Sequence, residues 1–99
     1  MPSNKQPIYP NERELLANFG ERLRLARLRR KIPAELLAER SSIPRMTLHR
    51  AEQGSPAVSM GTYMRILVAL HLQDDIKLLA SDDKLGRKLQ DVAFDARAR

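Results

Sequence analysis

Between positions 45 and 50 the chain places two guanidinium groups, an imidazole, a thioether and a hydroxyl, on Arg45, Arg50, His49, Met46 and Thr47. Arginine carries a planar fork of donors that meets two acceptors at once, as guanine O6 and N7 present them. Histidine donates or accepts at a base edge, and methionine can lie against a thymine methyl. Arg45, Met46, His49 and Arg50 therefore read as a base-contacting face. Thr47, with Ser41 and Ser42 just upstream, can bond phosphate oxygens, which fixes register without reading sequence. Arg29, Arg30 and Lys31 offer further phosphate contacts.

Catalysis has no comparable set of residues. His49 and His71 are the only histidines, and neither has neighbours at metal-ligand or triad spacing. The pairs Asp74-Asp75 and Asp82-Asp83 lack a matching histidine, so they read as charges at helix N-termini. There is no cysteine and no glycine-rich phosphate loop. The expectation is a protein with no enzymatic activity, no catalytic residue, no metal and no cofactor.

A face of this kind needs a helix to carry it and a second helix to brace it. The stretch PAELLAERSSIPRMTLHRAEQ, residues 33 to 53, predicts such a pair. Proline suits a first helical turn, and the residue before it is pushed out of the helical region. Pro33 and Pro44 therefore predict one helix from about Pro33 to Arg40 and another from about Pro44 to Gln53. Ser41-Ser42-Ile43 forms the turn, and Gly54 is a left-handed cap. Leu37, Ala38 and Ile43 can pack on Leu48 and Ala51, with Ala38 as the small residue at the crossing.

Charge points the same way. The chain holds 18 Lys and Arg against 12 Asp and Glu, a net of +6. Residues 21 to 53 hold nine basic and four acidic residues, a net of +5, against nine and eight, +1, elsewhere. A basic field confined to one third of a small domain suggests a polyanionic partner; a solvated helix face is the plainer alternative. At 99 residues, with few aromatics and no Trp, the core must be mainly Leu, Ile, Ala and Met, and such chains often gain stability by dimerising. No apolar run approaches the roughly 18 residues of a membrane span. The start of the chain lacks the apolar core of a signal peptide. Both fit a cytoplasmic protein with no membrane partner.

The remaining chain supplies supporting elements. Residues 1–10 hold three prolines and little to bury, which predicts a flexible arm. Asn11 is a candidate N-cap with Glu14 in a capping box, opening a helix to about Lys31. Its buried stripe is Leu16, Phe19, Leu23 and Ala26. Leu25 and Leu28 lie outside that stripe, either as a second contact surface or as peripheral core. Ser59 caps a fourth helix from Met60 to Leu70, with Tyr63, Ile66, Leu67 and Leu70 inward. Gln73 to Ala80 predicts a short fifth helix packing Ile76 and Leu79 inward. Together residues 11–80 form one DNA-binding domain. In the tail, residues 81–99, Leu85, Leu89 and Val92 keep a helical spacing. That tail is either frayed or an amphipathic helix ordered against a partner.

From about Phe19 to Leu72 the chain resembles the lambda-repressor/Cro-type (XRE) helix-turn-helix family. The matching pieces are FGERLRLARLRR, ELLAERSSIPRMTLHRAEQG and SMGTYMRILVAL. The resemblance implies an all-α, five-helix domain whose second and third helices read double-stranded DNA. It implies a homodimeric repressor on a palindromic operator. It also implies a structural ion pair between Arg27 and Glu52. The chain departs from the family at Pro33-Ala34, at Ser42 in place of a turn glycine, and at Pro44. Those changes remove phosphate anchors and imply weakened or partner-dependent DNA binding. A protein-interaction module is accordingly the second reading. The tail segment DDKLGRKLQDV resembles the small regulators paired with HipA-type kinase toxins, which implies a HipB-like antitoxin repressing its own operon. An ordinary phage-type repressor is the rival.

Overall fold

The computed structural model describes residues 8–98, and among these it is all-helical, without strands. Helix α1 spans Pro10–Arg29, α2 Ala34–Arg40, α3 Arg45–Glu52 and α4 Met60–Ala69. A 3-10 segment covers Gln73–Leu78, and α5 spans Lys84–Ala98. Residues 1–7, most of the expected arm, lie outside the described residues.

Helices α1 to α4 end by one device. After α2, the Ser42 N–H donates to the Glu39 carbonyl and the Ile43 N–H to the Ala38 carbonyl, each at 3.0 Å. The same pair of bonds closes α1 through Lys31 and Ile32, α3 through Gly54 and Ser55, and α4 through His71 and Leu72. This is the Schellman arrangement, and it requires one left-handed residue just past the helix. Lys31 (φ 55°), Ser42 (φ 55°), Gly54 (φ 75°) and His71 (φ 62°) fill that position. Only Gly54, which has no Cβ, does so without steric cost.

Helix starts differ from the sequence expectation. α1 begins at Pro10 with Tyr9 as N-cap and no side-chain cap bond, so the Asn11–Glu14 capping box does not form. Proline at the first helical position, with its φ already helical, moves the start upstream. Pro33 and Pro44 are N-caps, extended at ψ 149° and 148°, rather than first-turn residues. Their carbonyls still accept the first helical bonds, from Leu37 at 3.1 Å and Leu48 at 3.2 Å. α4 begins as expected, with the Ser59 Oγ accepting from the Thr62 N–H at 3.1 Å. The fifth helix is a 3-10 turn. Leu79 stays 59% exposed, and Ala80 takes φ 56°. A six-residue run, QDDIKL, is too short to sustain an α-helix by itself, and 3-10 turns serve as short connectors.

The core joins Leu23 and Ala26 of α1, Leu37 and Ala38 of α2, Leu48 and Ala51 of α3, and Tyr63, Ile66, Leu67 and Leu70 at α4. Phe19 packs at its edge, its ring centroid 5.1 Å from that of Tyr63. The Tyr63 hydroxyl donates to the Ser55 carbonyl at 2.7 Å, tying α4 to the loop after α3. Burial pushes its phenol pKa up. Leu25 and Leu28 remain partly exposed and stand outside this core. Where α1 crosses the end of α3, Gly20 leaves no room for a side chain. A Cβ there would stand 2.7 Å from the carbonyl oxygens of Ala51 and Glu52 and clash with the Gly54 backbone.

The tail is a helix. Asp83 caps it, its Oδ1 accepting from the Gly86 N–H at 2.9 Å. Lys84–Ala98 hold no proline, which permits the helix of the amphipathic alternative. No other helix packs along it. The described chain measures 61 × 37 × 21 Å with a radius of gyration of 18.0 Å, against about 13 Å for a compact chain of this length.

Candidate nucleic-acid interface

Eight residues of α3 sort cleanly by face. Leu48 and Ala51 are wholly buried against α1, α2 and α4. Arg45, Met46, His49 and Arg50 are exposed, and Thr47 is half-buried between the two groups. Leu37 and Ala38 of α2 are buried and Ile43 partly so, leaving α2 braced across the back of α3.

An ion pair locks that brace to α1. The Arg27 Nε donates to Glu52 Oε2 at 2.7 Å and its Nη2 to Oε1 at 3.1 Å, with the two side chains 12% and 8% exposed. A third bond runs from Arg27 Nη1 to the Ile32 carbonyl at 3.1 Å. One guanidinium thus ties α1, the link into α2 and the end of α3 in a single geometry. The hydrogen bond to Glu52 raises the Arg27 pKa further above its ordinary value, outweighing desolvation. Arg27 is consequently unavailable to an outside phosphate.

The other polar candidates divide by position. Ser41 is 2% exposed, and its hydroxyl has no partner among the described residues. It closes α2 and borders the same shallow pocket as Ser42, its hydroxyl almost shielded from solvent. Ser42 is exposed beside it, and lines a shallow pocket with Arg40, Met64 and Arg65. Arg29, Arg30 and Lys31 are exposed at the end of α1. The Arg30 guanidinium bonds the Ala26 carbonyl at 2.9 Å, so part of its donor set is engaged. Arg45 lies 3.2 Å from Glu35 of α2, an exposed pair that a ligand must compete with. Exposed ion pairs contribute little and yield readily.

An open groove of about 690 Å³ between α1 and α3 is lined by Arg24, Arg45, His49 and Gln53, among others. Gln53 was missed in the sequence reading. It caps α3 at its C-terminus, is exposed, and lies one turn beyond His49 and Arg50 on the outward side. The signal was present: a glutamine amide is a donor–acceptor pair suited to adenine N6 and N7, at helical spacing from His49. Assigning it to the helix end hid that. Arg40 and Arg65, beside the turn, were likewise left out; Arg65 is far from the motif in sequence and only folding brings it there.

Among the described residues no group of three or more His, Asp or Glu is placed to hold a metal, and no helix is long and apolar enough to cross a membrane. Comparison with curated proteins finds no match. A helix-turn-helix domain family model matches residues 18–78, from the middle of α1 to the end of the 3-10 segment, which contains every side chain of the candidate interface. The braced α2–α3 pair is that motif, and the chain belongs to the helix-turn-helix domain family.

Proposed function

We propose that this protein is a sequence-specific, DNA-binding transcriptional repressor of the lambda-repressor/Cro (XRE) type. It works in the cytoplasm as a homodimer on a palindromic operator. One observation carries this reading: the two buried residues of α3 face the core while Met46, His49 and Arg50 on the same two turns face solvent with no ion-pair partner. A rigid helix presenting unengaged donors is what major-groove reading requires.

In this reading residues 11–80 are the DNA-binding domain. Arg45, Met46, His49 and Arg50 contact base edges, joined by Gln53. Thr47, Ser42, Arg29, Arg30 and Lys31 hold phosphates, with Arg40 as an addition. Ser41, 2% exposed at the edge of the pocket that Ser42 lines, joins them through a shift of the turn. The N-terminus of α3 starts from Pro44 without a side-chain cap, and proline has no N–H to offer a phosphate. Affinity then leans on the arginines, so it falls steeply with salt.

A gel shift over a salt series, with duplex from upstream of the gene and with random duplex, tests the proposal. Preference for the upstream duplex at physiological salt supports it; equal retention of both ends it.

The tail, residues 81–99, favours a second role. Phe94, 69% exposed on the face of α5 opposite Leu85, Leu89 and Val92, suits a protein partner. With the Leu85-Gly86-Arg87 resemblance, this makes a HipB-like antitoxin paired with a HipA-type kinase the specific form of the regulator we favour. Co-purification with the product of an adjacent kinase-like gene is the expected result. An ordinary phage-type repressor would show no such partner.

A further inference from the structure

Leu85, Leu89 and Val92 are 69%, 61% and 67% exposed, and with Ala96 they form one stripe along α5. At 100° per residue, one flank of that stripe carries four charges within about 60° of arc. They are Lys84 and Lys88 in the first half of the helix and Asp91 and Asp95 in the second. The other flank carries Gly86, Gln90 and Ala93, small or neutral, and a single charge, Arg97, in the last turn. Lys88, Asp91 and Asp95 make no ion pair among the described residues, and Lys84 only a long one, 3.9 Å from Asp82.

This order is self-complementary in one orientation. When two helices pack antiparallel along such stripes, each flank faces the same flank of its mate. The basic first half then meets the acidic second half twice, once at each end. Packed parallel, the charged flank would face the other one, where Arg97 alone offers a charge, to the mate's Asp95, and both lysines would go unpaired. A two-fold interface demands this reciprocity, with residue i meeting j and j meeting i.

We propose that α5 is the dimerisation element and that it pairs antiparallel with α5 of a second copy of this chain. In the register that sets Leu89 against the second copy's Val92, Lys88 lies beside the second copy's Asp91 and Asp95, and Lys84 beside its Asp95. The pairing covers three large side chains per copy that the monomer leaves in water. It rests on the reading of the protein as a homodimer and names the surface that makes it one.

Sedimentation equilibrium of the full chain and two charge-exchanged variants tests the pairing. One variant carries Lys84→Asp and Lys88→Asp; the other carries Asp91→Lys and Asp95→Lys. All four positions are exposed, so the core is untouched, and circular dichroism melts of each variant check this. The wild type is expected to be a dimer. Each variant alone, with a flank of one sign, is expected to dissociate at least tenfold more readily. An equimolar mixture is expected to recover the dimer as a mixed species. A monomeric wild type overturns the pairing, and so does either variant dimerising as tightly as the wild type or a mixture that fails to recover. DNA binding measured on the same samples keeps the two readings apart. A dimer without operator preference counts only against the DNA reading, a variant that dimerises as tightly as the wild type counts only against the α5 pairing, and a monomer that still prefers the operator counts against the pairing and the homodimer but not against DNA binding.

Discussion

Helices α3 and α5 are both short and both carry aliphatic residues at helical spacing, yet they end in opposite situations. Leu48 and Ala51 of α3 are wholly buried, whereas Leu85, Leu89 and Val92 of α5 remain in solvent. The difference lies in what the chain provides opposite each. α3 meets Leu37 and Ala38 of α2, Gly20 of α1 allows its end to approach closely, and Arg27 clamps Glu52. α5 follows a five-residue link, Leu79 to Asp83, beyond which no helix lies against it. An apolar stripe is thus not by itself a core signal. It marks a face that needs a partner, and among the described residues no other helix packs along that of α5.

The contrast can be broken most forcefully at the clamp. Glu52→Ala leaves the Arg27 guanidinium largely buried without its carboxylate, and is expected to cost about 3–5 kcal/mol, read by urea or thermal unfolding. Leu48→Ala empties a fully buried site and should cost about 2–5 kcal/mol in the same measurement. A loss below about 1 kcal/mol would show that α3 is not held as described. Ser42→Gly sharpens the comparison in the other direction. It keeps the Schellman bonds while relieving a left-handed serine, and is expected to stabilise the fold by about 1 kcal/mol. Leu89→Ala on α5 should move the unfolding of the dilute, unpaired chain by no more than about 0.5 kcal/mol. A larger shift would place α5 against the body.

Much of the body was legible in the sequence. The spacing of Leu37, Ala38, Ile43, Leu48 and Ala51 marked the buried side of the motif, and Gly54 marked its left-handed end. Two things were less so. The start of α1 shifted two residues upstream, and those of α2 and α3 one residue downstream, because proline's φ serves a first turn and an extended cap equally well. Side-chain direction at a turn is not carried by residue type. Ser41 and Ser42 are adjacent and identical, yet one is buried and the other takes the left-handed position, exposed. The pairing of Arg27 with Glu52, 25 positions apart, came from the family resemblance and not from local pattern. At the interface, Arg65 escaped for the same reason, its place beside the turn being set by the fold, whereas Gln53 keeps a helical spacing from His49 that its reading as a helix end conceals.

The central claim is that the exposed face of α3 reads bases. Its most direct test compares wild type with Arg50→Ala on a preferred duplex and on random duplex, at one fixed physiological salt concentration. The account predicts a wild-type preference, and a loss of about 1–3 kcal/mol from that preference in the variant, with random-duplex affinity nearly kept. A wild type that binds both duplexes equally, or a variant that weakens both by the same factor, would contradict it.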